Sequence, residues 1–347
     1  MHRHIGIDAH TESCTVAVMG PSGKRLREAR LETNGKVLTD FVRSLAGRKH
    51  ICLEEGTQAE WLYEMLEPLA DEVVVQLPER SDGVKNDSVD AWKRADELRR
   101  GDIKRMVYKA PGKFTALRAA ARAYEVTQRD MVRGKTRLNA LYRSRGVHGM
   151  GSDIYDPELR ARWIAKLPLH QGQVAKLLSE QLEGLVQAHR VAEQWLLEEG
   201  QKVPVVRLLE TAPGIGKIRA AQIVAVVVSP YRFRTRRQFW SYSGLGITTR
   251  SSSDWKKDPS GQWVRQQTTQ TRGLNRNRNP ILKRVFTGAA ESIIRRGTRQ
   301  PLRHGYQRQL DAGTKPNLAR LTLARRIAGA VLAMWKNQEE YDPAKQQ

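Results

Sequence analysis

The sequence has little of what defines several other classes of protein. It contains two cysteines among 347 residues, Cys14 and Cys52, and no CxxC pair, which excludes a disulfide framework and a zinc site built from thiolates. Its longest apolar stretch, residues 220–228, is interrupted by Gln222 and falls short of the ~20 residues that a membrane helix needs. The first residues lead straight into a strand pattern, without the features of a signal peptide. We therefore expect a protein of a reducing compartment that is not embedded in a membrane.

Acidic residues are scarce in the last two-fifths of the chain. Residues 201–347 hold 28 Lys and Arg but only 8 Asp and Glu, which leaves 32 and 29 for residues 1–200. Most of the formal net charge of +23 therefore belongs to the C-terminal part. Because each neutralised phosphate releases a counterion, we expect this part to bind nucleic acid. The charges are spread among turns and apolar helices, which argues against an amphipathic helix on a membrane surface.

The hydrophobic pattern divides the chain into three regions, of class α/β followed by α. Residues 1–112 alternate strand and helix patterns in the order βββαβαβα, which predicts a mixed sheet of the RNase H-like kind. Residues 113–200 predict two long charged helices joined by a loop, a coiled-coil-like hairpin that spaces domains or pairs subunits. Residues 201–347 predict a mostly helical basic domain, with polar loops between its helices.

Acidic residues stand at the ends of elements in the first region. Asp8 ends the first strand, Glu54 and Glu55 end the fourth, and Asp87 and Asp90 begin a helix, on the same side of it. In an RNase H-like sheet these ends converge, so the acids are suited to two Mg²⁺ ions about 3.5–4 Å apart, as in-line phosphoryl transfer requires. Taken singly, each acid is explained as well by a turn or a helix cap. Taken as an ordered set, the acids predict a metal site.

The basic region contains segments whose composition favours contact with nucleic acid. The turn at residues 213–217 (PGIGK) resembles a helix-hairpin-helix, in which backbone N–H groups hold a phosphate; a plain helix–helix turn is the alternative. Other segments combine Arg with Asn, which contact phosphates and base edges, although a solvated loop has the same composition. The candidate nucleic-acid-binding residues are Gly214, Gly216, Lys217, Arg234, Arg236, Arg237, Arg272, Asn275, Arg276 and Arg278.

A serine-rich segment, residues 248–255 (TTRSSSDW), has the composition of a polar loop. A serine nucleophile needs a base or a metal ion to lose its proton. Asp254 is the only base in the segment. Composition alone therefore assigns no function to these serines.

Five segments together resemble, in the same order, the Asp-Glu-Asp-Asp transposases of insertion sequences, which are understood as bridge-RNA-guided recombinases. The segments span most of the chain. They are IGID at residues 5–8, CLEEG at 52–56, KNDSVDA at 85–91, PGIG at 213–216, and QF, GL and SSS between 238 and 253.

This resemblance implies a RuvC-like N-terminal domain, a helical linker and a C-terminal transposase domain. It assigns metal binding to Asp8, Glu54, Asp87 and Asp90, and it assigns the nucleophile of a covalent DNA–serine intermediate to Ser252. It further implies a structured guide RNA that pairs with donor and target DNA. The expected assembly is a homo-oligomer, a dimer or a tetramer, whose active sites combine domains of different subunits. The expected location is the bacterial cytoplasm, at the nucleoid during the reaction.

Some alternatives stay open at the level of the sequence. Glu55 adjoins Glu54, and the usual Ser-Gly of the family is replaced here by three serines, so that Ser251 or Ser253 can take the place of Ser252. The segment that follows, residues 254–272, is longer than in some relatives. A RuvC-like endonuclease or junction resolvase would use water and need no serine. A non-catalytic nucleic-acid-binding protein would need neither the serine nor the acids.

Overall fold

A computed structural model of the protein describes residues 1–77, 87–103, 114–149, 151–252, 255–265, 268–296 and 301–346. The chain forms two compact units, residues 1–112 and 113–347. The other boundary that the sequence predicts, at residue 200, falls within the second unit. Among the described residues, every helix is too short or too polar to cross a membrane.

The first unit is a five-stranded mixed sheet with helices packed on it. The strand order is β3-β2-β1-β4-β5, and β1 is antiparallel to β2 and parallel to β4. The predicted order βββαβαβα and the RuvC-like sheet are confirmed. The strands are β1 (His2–Ala9), β2 (Ser13–Met19), β3 (Arg25–Glu32), β4 (Arg48–Glu54) and β5 (Glu72–Gln76), and the helices are α1 (Gly35–Ser44), α2 (Ala59–Leu66) and α3 (Asp87–Arg100).

Both faces of β1 are covered, which explains its run of apolar residues. Ile5 and Ile7 point into a core shared with α1 and α2. Gly6 points to the other face, where a side chain would collide with α3, because a Cβ atom would lie 2.7 Å from the backbone nitrogen of Ala95. The glycine therefore permits the close approach of α3 to β1. This approach places the start of α3 beside the C-terminal end of the strand.

The second unit begins with the predicted helical hairpin. Tyr124 packs against His189, with ring centroids 4.8 Å apart, and a Cβ atom at Gly134 would lie 3.2 Å from a methyl carbon of Leu185 and 3.3 Å from one of Leu182. These pairs show that the two long helices run antiparallel. The helices of this part are α4 (Thr115–Arg143), α5 (Arg160–Ile164) and α6 (Leu169–Gln201).

The remaining helices enclose the largest hydrophobic core. All residues from 220 to 227 are buried in its centre, which explains the apolar stretch in the sequence. The start of α4 and the end of α6 contribute Phe114, Leu117 and Leu196 to the same core. These helices are α7 (Pro204–Glu210), α8 (Lys217–Val227), α9 (Arg236–Tyr242), α10 (Pro280–Arg296), α11 (Pro301–Asp311) and α12 (Pro316–Asn337).

Strands occur between α9 and α10, where the sequence predicted polar loops. Strand β6 (Ile247–Ser252) pairs antiparallel with β9 (Thr268–Leu274), and β7 (Trp255–Lys257) pairs antiparallel with β8 (Trp263–Arg265). The loop interpretation of residues 248–252 is therefore wrong. Strands β6 and β9 are rich in threonine, a β-branched residue that favours extended backbone, but their polar composition is also typical of loops.

Candidate active site

The four predicted carboxylates line one cavity, of about 290 Å³, in the first unit. Asp8 is the last but one residue of β1 and Glu54 is the last of β4, and these strands pair in parallel. Asp87 and Asp90 lie in the first turn of α3. The parallel pairing and the close packing of α3 on Gly6 thus bring the four side chains to the same edge of the sheet.

Asp8 is the most buried of these acids, with 8% of its surface exposed. Its Oδ1 atom lies 3.0 Å from Nη1 of Arg94, an ion-pair distance without the angles of a hydrogen bond. Nη2 of Arg94 forms an ion pair with Glu54. The guanidinium group therefore joins the two strand-end carboxylates and balances part of their charge, as buried carboxylates require.

His10 adds a nitrogen donor to this set of oxygens. Its Nε2 atom lies 3.3 Å from Oδ2 of Asp8 and 3.2 Å from Oδ1 of Asp87. Ligand atoms of the three residues all lie within 4.8 Å of one another, a spacing at which they could hold one cation. The sequence pattern predicts carboxylates alone at this site and does not indicate this histidine. The available signal was its position two residues after Asp8, which puts the two side chains on the same side of an extended chain.

Glu54 and Glu55 both line the cavity but differ in their surroundings. Glu54 is partly buried and contacts Arg94, whereas Glu55 is exposed. The backbone N–H of Glu55 donates a hydrogen bond of 2.8 Å to the carbonyl of Gln76, which extends the pairing of β4 with β5. The contact with Arg94 favours Glu54 as the inward-facing acid.

A buried polar group closes the cavity behind the acids. The side chain of Gln76 donates to Glu97 at 2.9 Å, and its carbonyl oxygen lies 3.5 Å from Sγ of Cys52. Burial raises the pKa of the Cys52 thiol to about 12. This cysteine is therefore protonated at neutral pH, and it is unsuited to act as a nucleophile or as a thiolate ligand.

The candidate serines belong to the second unit. Ser251 and Ser252 are the last two residues of β6, where Ser252 pairs with Thr268 of β9. Ser253 and Asp254 lie outside the described residues.

The two glycines of the turn before α8 occupy different environments. Gly214 has a φ of +74°, and a Cβ atom there would lie 2.6 Å from the carbonyl oxygen of Ala289 on α10. Gly216 is the N-cap of α8, and a Cβ atom there would meet nothing within 4 Å. Gly216 and Lys217 line a cavity of about 570 Å³, together with Arg219 and other residues. Close packing against α10 thus explains the glycine at position 214, whereas Gly216 faces open space.

Most of the other candidate nucleic-acid-binding residues fall into two groups, those that form hydrogen bonds within the protein and those whose side chains are exposed. Asn275 uses its side-chain amide within the chain, where Nδ2 donates to the carbonyls of Ser241 (3.1 Å) and Asn277 (2.8 Å). Arg278 is half-buried, and its Nη1 atom donates to the carbonyl of Asn275. Both side chains therefore help to hold the segment before α10. The side chains of Arg234, Arg236, Arg237 and Arg276 are exposed, and Arg272 lies in β9.

Two protein-family models match the chain. Residues 5–144 match a transposase family of the DEDD type named after IS110, and residues 206–307 match the family described as "Transposase IS116/IS110/IS902 family". A comparison with curated proteins finds no match. The first match contains the sheet from residue 5 onward and the acidic cavity, and the second contains β6 and the turn before α8. The chain therefore belongs to the IS110 family of insertion-sequence transposases.

Proposed function

We propose that this transposase cuts and rejoins DNA with metal-bound carboxylates and a serine nucleophile. The observation that carries the proposal is the meeting of Asp8, Glu54, Asp87 and Asp90 at one cavity. Carboxylates brought together in this way repel one another unless cations neutralise them. Arg94 balances only part of this charge, so the site is suited to divalent cations.

Each of these residues has a role in this proposal. The carboxylate oxygens of the four acids are the hard donors that Mg²⁺ prefers, and His10 adds a nitrogen. When bound, two Mg²⁺ ions would withdraw charge from the scissile phosphate and ease the loss of a proton from the attacking hydroxyl. Arg94 holds Asp8 and Glu54 in fixed positions. Because it contributes a positive charge, Arg94 also keeps the cavity attractive to a phosphate.

Ser252 is the hydroxyl that we assign as the nucleophile, with Ser251 and Ser253 as neighbours that could replace it. Its Oγ atom forms a bond to phosphorus, the bond from phosphorus to one deoxyribose oxygen breaks, and that oxygen takes up a proton. The serine ester keeps the energy of the phosphodiester, so the hydroxyl of another strand can attack it and release the serine. Water would discard this energy, and rejoining would then need another source.

We further propose that a structured RNA guides the protein to donor and target DNA, and that the protein acts as a homo-oligomer. The support is the likeness of its motifs to the RNA-guided family and the excess of basic residues after residue 200. Gly216, Lys217 and the exposed arginines would contact phosphates. Purified from its host, the protein should carry a discrete RNA encoded near its own gene, and recombination at the correct target should stop when this RNA is removed.

The nucleophile is tested by trapping the protein on its DNA. The wild type should form a covalent adduct that protease destroys, and Ser252→Ala should lose the adduct and recombination but still bind DNA. Ser251→Ala and Ser253→Ala are the matched controls. An adduct that persists in Ser252→Ala and disappears in a neighbouring variant would move the role to that neighbour. Cleavage without any adduct in the triple variant would show a nuclease that uses water.

A further inference from the structure

Two exposed tryptophans stand on the hairpin formed by β7 and β8. Trp255 and Trp263 are 59% and 62% exposed, which makes them the most exposed of the chain's eight tryptophans. A large aromatic side chain in water forgoes the stabilisation that burial would give it. Two of them together mark a surface that another molecule covers, because aromatic residues are enriched where macromolecules meet.

Both indole rings lie on the same face of this hairpin. Lys257 pairs directly with Trp263, and Trp255 precedes Lys257 by two residues, so the three side chains share a face. The Nζ atom of Lys257 lies 5.3 Å from the centroid of the Trp263 ring, within the range of a cation–π contact. This face therefore presents aromatic rings beside a positive charge.

The turn of the hairpin holds this face in a defined conformation. The Oδ1 atom of Asp258 accepts hydrogen bonds from the backbone N–H groups of Ser260 (2.9 Å) and Gln262 (3.0 Å). Gly261 completes the turn with a φ of +82°. Asp258 is also the only acidic residue between 255 and 265, where two lysines and an arginine are present. The surface around the tryptophans is therefore basic on balance.

Two rings beside a lysine are suited to an unpaired nucleic-acid strand. The bases of the strand stack on the aromatic rings, and its phosphates approach Lys257. A duplex hides the faces of its bases and cannot use such a surface. An apolar protein partner would gain little from Lys257, whose charge would lose its water in the contact.

Chain connectivity places this surface near the candidate nucleophile. Trp255 follows Ser252 by three residues, which span at most about 11 Å. Ser252 pairs with Thr268 and Trp255 pairs with Arg265, so β6–β9 and β7–β8 keep the same register. Nucleotides of a stacked DNA strand are ~3.4 Å apart, so this span corresponds to about three nucleotides. A DNA strand bound at Ser252 therefore has its adjacent nucleotides within reach of Trp255.

We propose that Trp255 and Trp263 form a stacking platform for unpaired bases of the DNA strand beside the phosphate that Ser252 attacks. The location on the DNA rests on the function proposed above for Ser252. A strand that is transferred must leave one duplex before it pairs in another. Unpaired bases next to the cut are therefore part of the reaction, and the platform holds them.

Equilibrium binding by the full-length Ser252→Ala protein tests the platform without interference from the reaction. The ligands are a single-stranded DNA oligonucleotide that contains 2-aminopurine, the duplex, and an RNA of the same sequence. Trp255→Ala and Trp263→Ala should each weaken binding of single-stranded DNA about tenfold, with loss of the fluorescence quenching that stacking causes. Trp255→Phe should keep most of the affinity, and Trp195→Ala, an exposed tryptophan on α6, should change nothing.

Several results would overturn the platform. The first is an unchanged affinity for single-stranded DNA in the variant with both tryptophans replaced by alanine. The second is an equal loss of affinity for duplex DNA, and the third is a loss of affinity for RNA alone. A change of oligomeric state with DNA affinity intact would identify the hairpin as a subunit contact instead. The result is independent of the nucleophile, since Ser252 is already replaced. If the wild type forms no adduct while the tryptophan variants lose affinity for single-stranded DNA, the stacking platform is supported and the assignment of Ser252 as nucleophile is wrong.

Discussion

Nη1 of Arg94 lies 3.0 Å from Oδ1 of Asp8 at the centre of the acidic cavity. Both residues are buried, and the same guanidinium group reaches Glu54. The chain thus carries its own counterion among the carboxylates. Because a buried carboxylate without a partner is unfavourable, the arginine stabilises the fold as well as the arrangement of the acids.

Arg94→Met should make the stability of the first unit depend strongly on divalent cations. Methionine fills part of the same volume but leaves Asp8 and Glu54 without their counterion. The free energy of unfolding in EDTA should fall by about 3 kcal/mol, and Mg²⁺ should restore more of it than in the wild type. Denaturation with and without Mg²⁺ measures both effects. The control is Arg99→Met, which removes a more exposed ion pair with Asp96 on the same helix. An equal response to Mg²⁺ in both variants would contradict the counterion role.

The acids themselves should be required for cleavage and dispensable for binding. Asp8→Ala and Asp90→Asn should abolish Mg²⁺-dependent cleavage of DNA, because each removes an oxygen donor from the cavity. Their affinity for nucleic acid should stay within about threefold of the wild type, since the basic residues remain. Asp96→Asn is the matched control, because Asp96 lies on the same helix but pairs with Arg99 and Arg100. Full cleavage by Asp8→Ala would refute a metal site at this cavity.

His10 should be visible as a ligand when Mn²⁺ replaces Mg²⁺. Electron spin echo spectra of the Mn²⁺-loaded protein should show coupling to a nitrogen nucleus, and His10→Gln should lose it. The variant should also lose more affinity for Mn²⁺ than for Mg²⁺, because imidazole suits the softer ion. His50→Gln, which changes a histidine near the start of β4, should leave the coupling unchanged. If coupling survives in His10→Gln, the imidazole contacts Asp8 and Asp87 but does not bind the metal ion.

Some of this site could be predicted from the sequence because its geometry is local. Asp8 and Glu54 end strands, and parallel neighbours in a sheet bring such ends together. Arg94 follows Asp90 by one helical turn, but its role depends on which face of α3 meets the sheet. That face is set by the contact of Gly6 with α3, a tertiary packing detail that no periodicity in the sequence reveals.

The strands near the candidate serines could not be predicted for a different reason. Burial drives most strands to alternate apolar and polar residues, and a sequence can be searched for that pattern. Lys256, Lys257 and Trp263 are exposed in β7 and β8, so burial imposes no such pattern on that hairpin. Backbone pairing of β6 with β9 defines the other two strands. The hydrogen bonds of Asn275 to Ser241 and Asn277 could not be predicted either, because they depend on the tertiary fold. From the sequence, Asn275 was predicted only to contact nucleic acid.

Gly214 and Gly216 should respond very differently to a methyl group. Gly214→Ala should lower the free energy of unfolding by about 2–4 kcal/mol, because alanine is strained at positive φ and its Cβ would press on the carbonyl of Ala289. Gly216→Ala, in extended backbone facing open space, should cost under about 1 kcal/mol. Chemical denaturation of both variants measures the difference. Similar losses of stability would contradict the difference between Gly214, which packs against α10, and Gly216, which faces open space.

The second unit should fold only with the helical hairpin attached. Its core includes Leu117 of α4 and Leu196 of α6, and a buried polar cluster crosses from the hairpin to the rest. In that cluster the carboxylate of Glu125 on α4 accepts hydrogen bonds from Gln222 of α8 and Arg284 of α10. A fragment of residues 201–347 would expose these apolar side chains and leave Gln222 without its buried acceptor, each of which costs stability.

A fragment of residues 113–347 should therefore unfold cooperatively, and one of residues 201–347 should lack a cooperative transition. The longer fragment should also keep most non-specific affinity for nucleic acid, which should fall steeply with salt because most of the excess positive charge follows residue 200. Residues 1–112 should bind little at the same salt. Thermal melts and salt titrations with one duplex measure these properties. Stronger binding by residues 1–112 would show that the acidic-cavity unit, and not the basic unit, holds the DNA.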